Sequence, residues 1–317
     1  MNNIDLIIVE WIQSFRNDFW DAFFLFITEF GDETVFLIIA AILYWTVDKR
    51  FAQRFILFFL YSAILNGVLK FLTNRPRPYV ASPETVDLVG DGAGGTSLPS
   101  GHAQNSAMMG FVLSEKTLLF QRGWSRFLTI IVGLVMLSRL YLGEHYLSDV
   151  IFGLAIAYSF YTLINSILNK HNLPNWLLWL WVGVLIPVTL LANNKDLYVA
   201  LATIIGVQWG LPWEMRHIGF QEKTTKKYAI LRIVIGIVIA LLIRIGLKEV
   251  FSLGLYSIDA EFNPILTDHL LDFVRYFIIT LWMTIGAPWL FKRFLSTPSA
   301  SCPPSSSVGL SNKASRR

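Results

Sequence analysis

Cysteine and charged residues are the two things that this sequence has little of. Its one cysteine, Cys302, excludes an intrachain disulfide framework and a thiolate metal site. Charged residues make up 15% of the chain and hydrophobic residues 54%, and the mean hydropathy is +0.53. So low a share of charge excludes an ordinary soluble protein, so the composition predicts an integral membrane protein.

Long apolar stretches fill most of the chain after residue 31. A helix needs about 20 apolar residues to cross the hydrocarbon core, and it satisfies its own backbone hydrogen bonds in lipid. The sequence therefore predicts an all-α, polytopic transmembrane helical bundle of about nine spans, the first of them short. The predicted limits are 32–47, 51–72, 99–120, 126–144, 149–169, 175–192, 197–213, 229–247 and 269–291.

Lysine and arginine are concentrated in alternate predicted loops, and this pattern orients the spans. Loops rich in these residues face the cytoplasm in membrane proteins. We therefore expect a cytoplasmic C-terminus, and an N-terminus on the exoplasmic or luminal side. Because the loops account for the net charge of +4, we predict no binding to nucleic acid. The basic set is Lys49, Arg50, Arg54, Arg122, Arg126, Lys170, Arg216, Lys223, Lys226, Lys227, Lys292 and Arg293.

Composition divides the chain into four segments. Residues 1–31 alternate aromatic and acidic side chains without the layout of a signal peptide, which is typical of amphipathic helices at a membrane interface. Residues 32–169 carry the clusters described next, and residues 170–295 add further transmembrane helices. Residues 296–317 are rich in serine and proline, so we expect a disordered tail.

Three cations lie in or beside the predicted outward-facing loops. Lys70 and Arg139 are near outer span ends, and Arg77 follows Lys70 after six residues. An ionisable residue within a span costs about 2.5 to 3.5 kcal/mol at mid-bilayer, so it is kept where it has a partner or a function. One such residue is more often an interfacial anchor. Three of them together suit a phosphate or diphosphate, which arginine binds bidentately and lysine as a point charge.

The segment Pro99-Ser100-Gly101-His102 opens a predicted helix. The free backbone N–H groups at a helix start, with the hydroxyl of Ser100, can bind an incoming anion. His102 lies at the same depth, where it can protonate a leaving oxygen. A histidine taken alone at such a position is more often a structural residue.

His145 and Asp149 are four residues apart, which makes them neighbours on a helical turn. The carboxylate can hold one imidazole N–H and leave the other nitrogen free to attack phosphorus, giving a phosphohistidine that water hydrolyses. Histidine and aspartate are also metal ligands. Because the surrounding cations would repel a divalent ion, we predict no metal and no cofactor.

Read in order, the clusters resemble the motifs of the type 2 phosphatidic acid phosphatase (PAP2) superfamily, which includes bacterial lipid phosphatases, glucose-6-phosphatase and vanadium haloperoxidases. They are KFLTNRPRP from Lys70, PSGH from Pro99 and SRLYLGEHYLSD from Ser138. The six-residue spacing favours Arg77 over Arg75 as the motif arginine. The resemblance implies metal independence, and it implies these roles: Lys70, Arg77, Ser100, Gly101 and Arg139 bind phosphate, His102 is the acid, His145 the nucleophile and Asp149 its orienting carboxylate.

The sequence leaves the substrate open. The leading hypothesis is a lipid phosphatase acting on a polyprenyl diphosphate such as undecaprenyl diphosphate, on phosphatidate or on phosphatidylglycerophosphate. The additional spans and a luminal site are more like glucose-6-phosphatase, so a sugar phosphate is the second hypothesis. A lipid phosphotransferase would share the phosphoenzyme. A transporter or channel would use Arg232, Arg244 and Glu249 as charges along a path. We interpret the glycine-rich stretch 90–95 as a flexible loop and not as a phosphate nest.

Overall fold

The computed structural model describes residues 3–92, 94–115, 122–170, 175–192, 194–255 and 264–295. Within these ranges every regular element is helical, in agreement with the predicted all-α class. The predicted disorder of residues 296–317 lies outside the described residues. The helices are α1 (Asn3–Gln13), α2 (Asp18–Thr28), α3 (Glu33–Ile42), α4 (Lys49–Thr73), α5 (Pro78–Ala81), α6 (Gly101–Ser114), α7 (Arg122–Tyr141), α8 (Leu147–Lys170), α9 (Asn175–Ala192), α10 (Lys195–Trp213), α11 (Lys226–Leu255), α12 (Pro264–Leu281) and α13 (Ala287–Phe294).

Five segments of the described chain are long and apolar enough to cross a membrane. They are Lys49–Ala81, Gly123–Tyr141, Leu147–Ser166, Lys226–Phe251 and Asp268–Phe294, while Glu33–Val47 and Val182–Ala192 are shorter apolar helices. The predicted span at 99–120 contains α6, a helix of 14 residues. The protein is therefore a helical membrane protein, and the count of about nine spans stays a prediction.

The helix α6 lies at the centre of the predicted catalytic half, residues 32–169, against α4, α7 and α8. Its polar residues point into the bundle: Gln104 Nε2 donates to Ser62 Oγ at 2.8 Å, and Asn66 Nδ2 donates to Gln104 Oε1 at 2.8 Å. A Cβ atom on Gly153 of α8 would lie 2.7 Å from the carbonyl oxygen of Ser100. Glycine at this position therefore lets the start of α8 lie against the start of α6.

The N-terminal helices α1 and α2 pack on α7, and α1 also contacts α8. Ile4, Ile7 and Trp11, which share one face of α1, are exposed. That apolar face suits the predicted place of residues 1–31 at a membrane interface, and this placement stays a prediction. The opposite face carries polar residues that contact the loops of the catalytic half.

The second half of the described chain is joined to the first by buried polar groups at the end of the bundle away from the motif residues. Glu214 is fully buried, and its carboxylate accepts hydrogen bonds from Tyr44 Oη at 3.1 Å and from Lys49 Nζ at 2.9 Å. Arg232 is also buried, and it donates to the carbonyl oxygens of Trp45, at 3.3 Å, and Leu295, at 3.0 Å. Arg232 is thus held by main-chain acceptors.

Arg244 and Glu249, the other two charges considered for a transport path, have exposed side chains on α11. Neither is enclosed by the helices of this chain. These three residues therefore do not form a row of charges inside the bundle, which the transporter interpretation requires.

Candidate active site

The three predicted phosphate-binding cations lie close together, where the ends of α4 and α7 meet the start of α6. Arg77 follows the end of α4, and Arg139 lies in the last turn of α7, and both side chains are almost completely buried. Arg77 Nη1 donates to Glu144 Oε2 at 2.7 Å, and Arg139 Nη2 donates to the same oxygen. Lys70 lies beside Gly101, where a Cβ atom would be 3.9 Å from Nζ.

Glu144 is a site residue that sequence reasoning missed. Its buried carboxylate holds both guanidinium groups at one point and balances part of their charge. The signal in the sequence is an acidic residue directly before the motif histidine.

His145 lies in the loop between α7 and α8, with its side chain buried beside Arg77. Its backbone N–H donates to the carbonyl oxygen of Arg139 at 3.1 Å, which fixes the residue against the end of α7. The ring nitrogen Nε2 is 3.5 Å from Arg77 Nη1. The ring nitrogen Nε2 therefore faces the group of cations that is expected to hold the phosphate.

Asp149 is brought next to His145, but a serine stands between them. His145 Nδ1 is 3.8 Å from Asp149 Oδ2, which is too long for a hydrogen bond. Ser97 Oγ lies 3.4 Å from Nδ1 and donates to Asp149 Oδ2. Because α8 begins at Leu147, His145 precedes the helix and does not share a regular turn with Asp149. The structure thus connects the two side chains through Ser97, a residue that carried no sequence signal, and the orientation of His145 by Asp149 stays a prediction.

Asp149 is fully buried and receives two further hydrogen bonds. The backbone N–H of Tyr146 donates to Oδ2 at 2.9 Å, and Arg75 Nη1 donates to Oδ1 at 2.6 Å. The two arginines of the first motif therefore have separate partners. Arg77 faces His145, as the motif spacing predicts, and Arg75 holds the carboxylate behind it.

The second motif begins α6 as the sequence predicts. Ser100 is the N-cap: its hydroxyl accepts the N–H of Ala103 at 3.5 Å, and its own N–H donates to the carbonyl oxygen of Asp149 at 3.1 Å. The hydroxyl thus caps the helix, and phosphate binding by Ser100 and Gly101 stays a prediction.

His102 packs against the turn that follows α2. A Cβ atom on Gly31 would lie 2.9 Å from His102 Cβ, so only glycine allows this approach. Lys70, Arg77, Arg139 and His145 are all close enough to interact electrostatically with the His102 ring. The two histidines therefore belong to one site, and the acid role of His102 stays a prediction.

The glycine-rich loop positions Arg77. Arg77 Nη2 donates to the carbonyl oxygen of Gly94 at 2.9 Å, and Nε donates to that of Gly95 at 3.1 Å. The loop thus presents carbonyl oxygens to a cation, whereas a phosphate nest presents N–H groups to an anion. This agrees with the interpretation that the stretch is not a nest.

Gly143 allows the first and third motifs to meet. It has a φ of +74°, and a Cβ atom on it would lie 2.4 Å from the carbonyl oxygen of Asp87. Its own carbonyl oxygen accepts the N–H of Tyr79 at 3.3 Å. A larger residue at position 143 would therefore both strain the turn and separate the two loops.

No group of three or more histidine, cysteine, aspartate and glutamate side chains in the described ranges could hold a metal ion. That the reaction needs no metal stays a prediction, which an activity measurement with excess chelator tests.

The environment of His145 lowers the pKa of its imidazole well below the usual value of 6.5. Burial is the largest cause, followed by the positive charges of Arg139, Arg77 and Lys70. The neutral ring, which would carry the lone pair of the predicted nucleophile, therefore persists at mildly acidic pH. We expect kcat/KM to fall on the acid side only as pH drops through this lowered pKa, with a midpoint below 6.5.

A pH–rate profile of the purified protein measures this midpoint, with each sample returned to neutral pH to show that it was not denatured. An acid limb centred at or above pH 6.5 would contradict a buried, cation-flanked nucleophile.

Comparison with protein families gives two matches that follow one another along the chain. Residues 51–173 match the model described as PAP2 superfamily, and residues 198–299 match the one described as PAP2 superfamily phosphatase, transmembrane extension. The chain belongs to the PAP2 superfamily. The first match contains all three motifs, and the second covers α10 to α13.

Curated relatives from this superfamily have related sequences over about half of the chain. Human sphingosine-1-phosphate phosphatase 2 is 29% identical over 165 residues, which are 51% of this chain and 39% of that protein. Dolichyldiphosphatase of Saccharomyces cerevisiae is 29% identical over 174 residues, 49% of this chain and 70% of that protein. The chain thus covers less than half of the length of the sphingosine-1-phosphate phosphatase that it matches.

Two crystal structures align with about half of this PAP2 protein. Aquifex aeolicus LpxE aligns with a TM-score of 0.47 and 24% identity, covering 51% of this chain and 94% of that one. The transmembrane PAP2 type phosphatidylglycerolphosphate phosphatase from Bacillus subtilis aligns with a TM-score of 0.45 and 24% identity, covering 54% of this chain and 89% of that one.

Proposed function

We propose that this protein is a metal-independent membrane phosphatase that removes phosphate from a phosphorylated lipid through a phosphohistidine on His145. One observation carries the proposal. Arg77 Nη1 lies 3.5 Å from Nε2 of His145 and binds the same carboxylate oxygen as Arg139, so the proposed nucleophile and two proposed phosphate-binding groups meet at one point. Phosphoryl transfer depends on such positioning and on charge stabilisation.

The proposed reaction has two steps. His145 Nε2 attacks phosphorus, the bond to the leaving oxygen breaks, and His102 gives that oxygen a proton. A water molecule then attacks the phosphohistidine, His102 takes its proton, and the N–P bond breaks to release phosphate. Arg77, Arg139 and Lys70 stabilise the charge on the phosphoryl oxygens in both steps.

The surface beside the phosphate clamp, which consists of Lys70, Arg77 and Arg139, favours a lipid as the substrate. Phe71 and Leu72 directly follow Lys70 at the end of α4, and both side chains are exposed. They offer an apolar surface for a hydrocarbon chain whose phosphate is bound by Lys70. The relatives named for sphingosine 1-phosphate and dolichyl diphosphate support this choice. Polyprenyl diphosphate, phosphatidate and phosphatidylglycerophosphate are the substrates that we propose.

The site is proposed to face the exoplasmic side or a lumen. Lys49 and Arg54 begin α4 at the end opposite to Lys70, and Arg126 lies in the first half of α7, opposite to Arg139. The positive-inside rule places such basic ends in the cytoplasm, which puts the motif residues on the other side.

A substrate panel with purified protein and excess chelator tests the substrate class and the metal independence together. We expect release of inorganic phosphate from polyprenyl diphosphate, phosphatidate or phosphatidylglycerophosphate, with kcat/KM at least about tenfold above that for glucose 6-phosphate. We expect the chelator to leave the rate unchanged, because the proposed reaction uses only side chains.

Each other outcome of the panel contradicts a stated part of the proposal. Preference for glucose 6-phosphate would favour the sugar-phosphate hypothesis, and a phosphorylated acceptor without free phosphate would show a phosphotransferase. Loss of activity with chelator, restored by a divalent cation, would exclude the metal-independent mechanism.

A further inference from the structure

Arg75 connects the catalytic carboxylate to the N-terminal helix. Its Nη1 donates to Asp149 Oδ1 at 2.6 Å, and its Nη2 donates to Asp5 Oδ2 at 3.1 Å. The guanidinium also lies over the ring of Tyr146, 4.0 Å from its centre. Arg75 is therefore fixed between two carboxylates and an aromatic face.

Asp5 is held just as closely to the start of α8. Its Oδ2 accepts the hydroxyl hydrogen of Ser148 at 2.6 Å, and its Oδ1 accepts the backbone N–H of Ser148 at 3.2 Å. A carboxylate in this place satisfies a free N–H in the first helical turn and interacts favourably with the helix dipole. Asp5 thus caps the helix that carries Asp149, although it lies 143 residues away in the chain.

The other end of α1 is fixed as well, which makes Asp5 part of a rigid arrangement. Gln13 Nε2 donates to the carbonyl oxygens of Asp87, at 2.8 Å, and Tyr141, at 2.9 Å, and its Oε1 accepts the N–H of Asp87 at 3.0 Å. The helix α1 therefore contacts the loops of the first and third motifs at both of its ends. Such a helix can hold a carboxylate in one place relative to the site.

We propose that Asp5 is a positioning residue for the phosphatase reaction: through Arg75 and Ser148 it holds Asp149, which orients the nucleophile His145 through Ser97. This inference rests on the proposed function. Asp5 touches neither the phosphate clamp nor His145. Without Asp5, Arg75 loses one of its two anionic partners and the first turn of α8 loses its cap. Asp149 is then free to shift, and His145 with it.

Asp5→Asn in the purified full-length protein tests the proposal. We expect kcat to fall about 10- to 100-fold, the range seen when an outer partner of a reacting group is removed. We expect KM to change less than about threefold, because the clamp residues keep their contacts. Glu10→Gln on the same helix is the matched control, and it should behave as the wild type.

A double-mutant cycle with Asp149→Asn separates positioning from a general effect on folding. If Asp5 acts through Asp149, the second substitution should leave Asp5→Asn with less than about a twofold further effect. An activated aryl phosphate as substrate keeps the low rates measurable. Equal losses in both backgrounds, a rise in KM at constant kcat, or wild-type kinetics would each overturn the proposal.

Asp5→Glu provides a second variant, should Asp5→Asn not purify as a folded protein. It keeps the charge but displaces it by one methylene, so the same fall in kcat at constant KM is expected, to a smaller extent. Unaltered kinetics would again overturn the proposal. Failure of the proposed function is a different result, since the wild type itself would then release no phosphate from any substrate.

Discussion

Replacing His145 by alanine is expected to reduce phosphate release by about 10⁴-fold or more, as the removal of a nucleophile does in other covalent mechanisms. The nitrogen that would bond to phosphorus is lost, and no neighbouring group can reach the same place. The polar contacts of the ring are with Arg77, Ser97 and Asp149, all of them within the site, so we expect the fold to persist.

Steady-state release of phosphate measures the effect, with a thermal melt to confirm that the variant is folded. His217→Ala is a matched control, because His217 is an exposed histidine stacked on Trp213 at the far end of α10. Turnover of His145→Ala at the wild-type rate would exclude the phosphohistidine mechanism. A phosphoenzyme that is stable in alkali and labile in acid should be trapped from the wild type alone.

Replacing His102 by alanine should produce a loss that depends on the leaving group. A general acid contributes about 10² to 10⁴ in rate when the leaving oxygen is strongly basic, as in an alkyl phosphate. An aryl phosphate with an acidic phenol leaves without help, so its release should slow less than about tenfold in the first step.

The rates of His102→Ala with the two substrates, each relative to the wild type, provide the measurement. The packing of His102 against Gly31 makes a local loss of stability an alternative cause, but a folding defect would slow both substrates equally. Equal losses of rate with the two substrates would therefore contradict the proposed acid role of His102.

The sequence predicted which motif residues lie together better than it predicted the contacts that support them. Lys70, Arg77 and Arg139 were predicted to lie around one phosphate, and the structure brings the two arginines to a single oxygen. One charged residue near a span end is more often an interfacial anchor, but three of them beside two histidines indicate a shared purpose. This is why three short motifs, far apart in the chain, could be assembled from the sequence alone.

Ser97 and Glu144 could not be predicted in the same way. Ser97 reaches the site because the loop after α5 folds back, with its N–H donating to the carbonyl oxygen of Arg75 at 2.8 Å. No periodicity in the sequence predicts that the chain returns to the site in this way. Glu144 lies within the third motif, but only the geometry shows that its carboxylate faces two arginines.

Composition also did not predict that the N-terminal segment contacts the site. Its aromatic residues indicate an interface, and the exposed face of α1 has that character. Asp5 and Gln13 lie on the same helix but contact loops 70 or more residues away in the chain. Thr28, at the end of α2, accepts a hydrogen bond from Arg139 Nη1. Asp5, Gln13 and Thr28 lie outside residues 51–173, the region that matches the PAP2 superfamily model, whereas their partners lie within it.

The span count shows where composition was a weaker guide. The segment 99–120 was predicted as a span because it is apolar and follows a helix start. In α6 the residues Gln104, Asn105 and Ser106 are buried among other helices, so part of its length serves packing between helices and not contact with lipid. Hydropathy cannot separate these two kinds of burial.

The buried group around Glu214 has a consequence for how the chain can be divided. Truncation after α9 would leave the ammonium of Lys49 and the hydroxyl of Tyr44 without their carboxylate. Breaking one side of a buried ion pair costs about 3 to 5 kcal/mol, a large part of the stability of a typical protein. We therefore expect the part of the chain after the gap to stabilise the part before it, although the two match different family models.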